Sequence, residues 1–223
     1  MSRIAVVGGN GQIARLLHPL LGERGHTPIA LVRSESYRAD LEAAGVEVRL
    51  LDVEQADEAG FAAAFEGAHA VVFAAGGGPD GNIERKRTVD LEGSTTSIAA
   101  ATERGIKRFV QVSAIGVDSP LPEDAGDVWK AYVEAKRDAD AALRESDLSW
   151  TILRPGRLTD DDATGRICLA PELERGEIPR ADVAATIAAV LDDGRAVRRQ
   201  WELVSGPTPI LEAVTRATAG RDL

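Results

Sequence analysis

Ile4-Ala5-Val6-Val7-Gly8-Gly9-Asn10-Gly11-Gln12-Ile13-Ala14 is the stretch whose pattern decides the fold. The four apolar residues read as a short buried strand. Apolar residues then recur at Ile13, Leu16, Leu17, Leu20 and Leu21, the spacing of one helix face. Gly8, Gly11 and Ala14 form a G-x-x-G-x-x-A pattern at the turn between the two. A small residue is needed where the chain leaves the strand sharply. Gly11 lets backbone approach a pyrophosphate, and Ala14 lets the helix close on the sheet. The helix start also offers free N–H groups and a positive dipole end to an anion.

Outward from this turn, apolar runs alternate with helical stretches. Strands are expected at 28–32, 46–51, 70–75, 109–112 and 150–153, and helices at 12–22, 34–44, 56–65, 83–102 and 128–143. The tail adds a short strand at 167–169, a helix at 181–191, a strand at 201–204 and a helix at 210–218. Strands that are apolar throughout and separated by helices imply a parallel sheet covered on both faces. Six repetitions point to an α/β, Rossmann-type doubly wound sheet flanked by helices, with a short C-terminal extension on the substrate side. The segment 119–127, with Pro120 and Pro122, is placed where a lid or substrate loop could lie.

With 223 residues the chain can build one sizeable core, so a single domain over 1–223 is expected. About 1–153 would be the nucleotide-binding core and about 154–223 the extension. The formal net charge of −10 argues against nucleic acid as a partner. Cys168 is the sole cysteine, which excludes an internal disulfide and a Cys-ligated zinc. His18, His26 and His69 lack ligand spacing, so no metal is expected. Arg3 is followed by too few apolar residues for a signal peptide, and no run is long enough to span a bilayer. We expect a cytoplasmic protein, monomer or homodimer, with a small-molecule substrate and no membrane partner.

The second strand ends Leu31-Val32-Arg33. A site for NAD often has Asp or Glu there for the ribose 2′-hydroxyl. The planar guanidinium of Arg33 suits a 2′-phosphate instead, which favours NADP (NADPH) over NAD.

Tyr132 and Lys136 are four residues apart and share one helix face. Val128, Ala135, Ala139 and Leu143 fall on the same stripe, so Lys136 is a charge on an apolar side. Reducing a carbonyl requires a proton at oxygen. A phenol has a pKa of about 10, and a nearby ammonium lowers it. Tyr132 would give the proton, Lys136 would tune it and hold a ribose, and Ser113, just past the fifth strand, would position the acceptor oxygen.

Taken together these residues resemble the short-chain dehydrogenase/reductase superfamily, and within it the small atypical NAD(P)H-binding, epimerase/dehydratase-like branch that includes flavin and biliverdin reductases. The resemblance rests on GGNGQIA at 8–14, LVR at 31–33, Leu51-Asp52, VVFAAG at 71–76, VDLEG at 89–93, RFVQVSAIG at 108–116, YVEAK at 132–136, ILRPG at 152–156 and RADV at 180–183. It implies a catalytic set of Ser113, Tyr132 and Lys136. It also implies that Gly8, Asn10, Gly11, Gln12, Ile13 and Arg33 contact the cofactor, Asp52 and Val53 its adenine, and Lys136 its ribose. Ala74, Ala75 and Gly76 would line its middle, and Pro155 and Gly156 would border the nicotinamide. Asp90 stands where larger relatives often have Asn, and the short tail after Gly156 speaks against a nucleotide-sugar substrate.

Three functions follow. The first is an NADPH-dependent oxidoreductase passing hydride to a small carbonyl, quinone or flavin-like acceptor. The second is a non-catalytic NADP(H)-sensing regulator, and the third an NAD-dependent epimerase or dehydratase. Residues 84–87 are expected to form a solvated charged face, Cys168 a buried small hydrophobe, and Trp129 a packing or substrate-touching residue.

Overall fold

The run after Arg3 becomes β1 (Arg3–Val7), and its alternation sets up the layers. Ile4 and Val6 enter one apolar cluster while Ala5 and Val7 enter another on the opposite face. Burying both faces is what an all-apolar strand requires, and each fully buried Val, Ile or Leu contributes about 1.5–3 kcal/mol. The structure is a computed structural model that describes residues 1–78 and 80–219; residue 79 and residues 220–223 of the expected 1–223 domain lie outside the described residues.

The other parallel strands are β2 (Thr27–Val32), β3 (Glu47–Leu50), β4 (Ala70–Phe73), β5 (Arg108–Val112) and β6 (Ser149–Pro155). Short strands β7 (Arg157–Thr159), β8 (Arg166–Ala170), β9 (Glu177–Pro179), β10 (Arg199–Ser205) and β11 (Thr208–Pro209) complete the set. One nine-stranded sheet runs β11-β8-β10-β6-β5-β4-β1-β2-β3, and β7 pairs with β9 beside it. The sequence from β3 to β6 is the doubly wound order, with its switch point between β1 and β4. The far edge departs from the expected parallel sheet, because β8 runs antiparallel to both β10 and β11. Along β8, Ile167 faces the core and Cys168 alternates away from it, so the thiol is half-buried rather than fully inside.

The helices are α1 (Gln12–Glu23), α2 (Arg38–Ala43), α3 (Glu58–Ala64), α4 (Ile83–Arg85), α5 (Gly93–Glu103), α6 (Asp127–Glu145), α7 (Arg180–Asp192) and α8 (Ile210–Ala219). α1 and α7 pack together on one face of the sheet, and α3 and α5 on the other. The long helix expected over 83–102 is interrupted by a π-helical segment, Lys86–Glu92. Such wide turns occur often at functional sites. Here the segment turns Lys86 and Asp90 inward, so residues 84–87 are not uniformly a solvated face. Among the described residues no helix is long and apolar enough to cross a membrane.

Candidate functional site

A cleft of about 1250 Å³ opens along the carboxyl ends of the parallel strands. Ligands bind there in open α/β sheets, at the topological switch point. Every residue assigned from the sequence to catalysis or cofactor contact lines it: Gly8, Asn10, Gly11, Gln12, Ile13, Arg33, Asp52, Val53, Ala74, Ala75, Gly76, Ser113, Tyr132, Lys136, Pro155 and Gly156.

The glycine turn is built for close approach. Gly8 has φ +78°, and a Cβ there would lie 2.8 Å from the backbone of Ala75. The Gly11 N–H donates to the Gly8 carbonyl at 2.8 Å, which closes the turn. No side chain caps α1, so its first N–H groups face the cleft without a protein partner. Ala14 is fully buried against the sheet. His18, expected at the surface or in packing, lies beneath this turn and Nε2 donates to the Gly9 carbonyl at 2.7 Å. Burial holds its pKa below the ordinary value, so it supports the turn as a neutral ring. The turn's open N–H groups and the missing Cβ atoms at Gly8, Gly9 and Gly11 fit a pyrophosphate.

Arg33 is exposed at the end of β2, and Arg33 and Arg175 are the two arginines, among the described residues, with neither a hydrogen bond nor an ion pair. Both line the cleft. At the end of β3, Asp52 accepts from the Glu54 N–H at 3.0 Å. Glu54 in turn holds Arg85 and Thr88, which fastens the start of the α4 segment beside the cleft.

Tyr132 and Lys136 project from α6 into the other end. Lys136 is buried and its Nζ donates to the Val112 carbonyl at 3.2 Å and pairs with Asp90 Oδ1 at 3.0 Å. An ammonium has three N–H groups, so these two contacts leave donor capacity for the cleft. Asp90 also accepts from the Gly77 N–H at 2.8 Å. Burial opposes the charge on Lys136, but Asp90 and its other neighbours outweigh this and raise its pKa.

Tyr132 stacks on Trp129 at 5.5 Å between ring centroids, and the Lys86 ammonium sits 5.9 Å from its ring. Lys86 was read as surface from sequence; it is buried and donates to the Gly78 carbonyl. The expectation that Lys136 lowers the Tyr132 pKa needs correcting. Burial pushes the phenol up, Lys136 pulls it down, and Asp90 and Asp140 push it up again, for a net rise. The physical reason is first the burial of the phenol, and then the Asp90 and Asp140 carboxylates, which offset the Lys136 charge.

Ser113 is buried at the end of β5, and its hydroxyl donates to Asp140 Oδ2 at 2.8 Å. A hydroxyl has one proton, so in this arrangement Ser113 meets the cleft as an acceptor rather than a donor. Asp140 also accepts from Gln111 at 2.7 Å and from Arg154 Nε at 2.8 Å. Of the expected lid, only Gly126 lines the cleft; Val128 and Trp129 from the first turn of α6 join it.

The sequence profile of a family described as NAD(P)H-binding matches residues 8–194. A Bacillus subtilis protein, YhfK, described as an uncharacterised sugar epimerase, is 40% identical over 96% of this chain and 99% of its own. A solved structure from Bacillus halodurans, assigned as an NAD-dependent epimerase/dehydratase, has TM-score 0.90 at 36% identity, covering 97% of this chain and 100% of that one. The oxidoreductase ylbE from Lactococcus lactis has TM-score 0.86 at 26% identity over 99% of each chain.

Proposed function

The chain belongs to the NAD(P)H-binding family, and from that premise we propose that it is an NADPH-dependent oxidoreductase reducing a small carbonyl, quinone or flavin-like acceptor. The observation that carries this reading is the meeting, in one cleft, of the glycine turn with Tyr132 and a buried Lys136 whose Nζ contacts the Val112 carbonyl and the Asp90 carboxylate. The likeness to the Lactococcus oxidoreductase supports it.

When bound, NADPH supplies the hydride. The chain's residues do the remainder. Tyr132 carries a proton on its phenol oxygen and donates it to the acceptor oxygen. The Lys136 ammonium stabilises the phenolate left behind and offers its third N–H to a ribose hydroxyl. Trp129 and Lys86 flank the phenol ring and limit its rotation. Arg33 pairs with the 2′-phosphate.

Two results test this. Replacing Arg33 with Glu should weaken NADPH binding by about 10- to 100-fold while changing NADH binding little, because a charge-assisted pair to phosphate is exchanged for repulsion. Equal loss for both nucleotides would overturn the NADPH assignment. A tightly held NAD that survives purification, with no net oxidation of added NADPH, would favour the epimerase reading suggested by the Bacillus relatives.

The pH profile follows from Tyr132. A proton donor must be protonated, and a raised pKa keeps it so to higher pH. kcat/KM for reduction should therefore stay level from about pH 7 to 9 and fall only above about pH 10. A basic limb near pH 7–8 that disappears in Tyr132→Phe would contradict the net rise.

A further inference from the structure

We propose that the acceptor carries a compact anionic group, a carboxylate or a phosphate, and that Arg175 binds it. This rests on the reduction proposed above and names the chemical class of its substrate.

The chain is acidic, with 36 Asp and Glu against 26 Lys and Arg, and nearly all its arginines are spoken for. Arg157 and Arg180 also line the cleft, but Glu177 and Asp160 pair with them. Arg33 and Arg175 are left, as noted, and they serve different parts of the cleft. Arg33 follows β2. Arg175 sits in the connection between β8 and β9, beside the loops that follow β5 and β6. The carbonyl of its neighbour Gly176 accepts from the Arg157 N–H at 2.8 Å. A Cβ on Gly156 would lie 2.3 Å from that same carbonyl oxygen, so these loops touch backbone to backbone.

The loop that carries Arg175, itself an exposed side chain, is tied down from below. Glu202, on β10, is only 5% exposed, and its carboxylate accepts from two loops at once. Oε1 takes the Gly116 N–H and Oε2 the Leu173 N–H, each at 2.8 Å. Gly116 has φ +70°, and a Cβ there would come 3.3 Å from an Arg175 nitrogen. A buried carboxylate thus ties the Arg175 loop to the Ser113 loop, and a glycine leaves room for the guanidinium against it. An Arg so positioned, with its planar fork free, suits a bidentate anion. Trp129, 40% exposed, offers a flat apolar surface in the same cleft.

The test uses aromatic probes that differ only in charge. NADP⁺-loaded protein is titrated calorimetrically with benzoate, phenyl phosphate and benzyl alcohol. At least one anion should bind about 10- to 100-fold more tightly than the alcohol. Arg175→Met should remove that preference, Arg175→Lys should restore part of it, and the affinity for NADP⁺ should be unchanged. Preference for benzoate identifies a carboxylate acceptor, and preference for phenyl phosphate a phosphate acceptor. In turnover, 4-carboxybenzaldehyde against benzaldehyde, and FMN against riboflavin, should show the same preference and the same collapse in Arg175→Met. Equal binding of all three probes, or a preference that survives Arg175→Met, overturns the proposal. So does an Arg175→Met variant that loses NADP⁺ instead. Failure of NADPH oxidation with every acceptor would sink the reduction reading alone, because the calorimetric titration needs no turnover.

Discussion

Replacing Tyr132 with Phe is expected to lower kcat for NADPH-dependent reduction of a carbonyl acceptor by about 10²- to 10⁴-fold. The change removes one hydroxyl and keeps the ring. The stack on Trp129 and the contact with Lys86 therefore persist, and the affinity for NADPH should move by no more than about twofold. An equal fall in kcat and kcat/KM marks a group whose contribution is made in the transition state. Loss of cofactor binding in the variant would instead place the phenol in the binding machinery. Full activity in Tyr132→Phe would mean that the acceptor takes its proton from water, and the proposed role of Tyr132 would fall. Acceptor choice matters for this outcome, so a carbonyl is the informative substrate. A quinone or flavin stabilises its reduced anion and depends less on an enzymic acid.

Residues whose role depends on local geometry were legible in the sequence. Gly8, Gly11 and Ala14 act within one turn, and the backbone there has few alternatives. Tyr132 and Lys136 are one helical turn apart, so the period of the helix alone brings them together. The doubly wound order follows from apolar runs spaced by helices. What escaped notice depends on contacts between distant segments. The π-helical turn over Lys86–Glu92 leaves no distinctive mark in composition, and without it Lys86 falls within a run of charges that reads as surface. Asp90 stands out in the sequence only as a departure from the Asn of larger relatives, not as the partner of Lys136, because the ion pair joins residues 46 positions apart. Arg175 is one arginine among many in the sequence, and only the ion pairs and hydrogen bonds of the assembled chain set it and Arg33 apart from the other described arginines. Strands β7, β9 and β11 have two or three residues each, too few for a period to register. The Tyr132 pKa shows the same limit. The ammonium was visible from spacing, but the carboxylates and the burial that oppose it belong to the assembled cleft.

Asp140→Ala is expected to destabilise the fold by about 3–5 kcal/mol, because it leaves a buried charge without its partner. The melting temperature should drop by roughly 10 °C for a chain of this size. Asp140 is fully buried on α6 and takes hydrogen bonds from Gln111, Ser113 and Arg154. Arg154 is itself only 3% exposed, and its other partner, Asp118, is half-exposed. Removing the inner carboxylate therefore strands Arg154 Nε and the Gln111 amide where water is excluded, and the screened pair to Asp118 cannot replace what is lost. If the penalty comes from stranded polar groups rather than from lost packing, filling the site with apolar atoms should reduce it. Asp140→Leu combined with Arg154→Met should recover at least about half of the loss, since a buried pair exchanged as a whole costs far less than one broken. A double variant as unstable as Asp140→Ala would show that the network is needed for packing. The same variants separate stability from chemistry. Without Asp140 the Ser113 hydroxyl is released to donate into the cleft, so any catalytic change in the folded fraction measures what directing that proton away from the acceptor contributes. A kcat per folded molecule that is unchanged would confine Asp140 to the architecture behind β5.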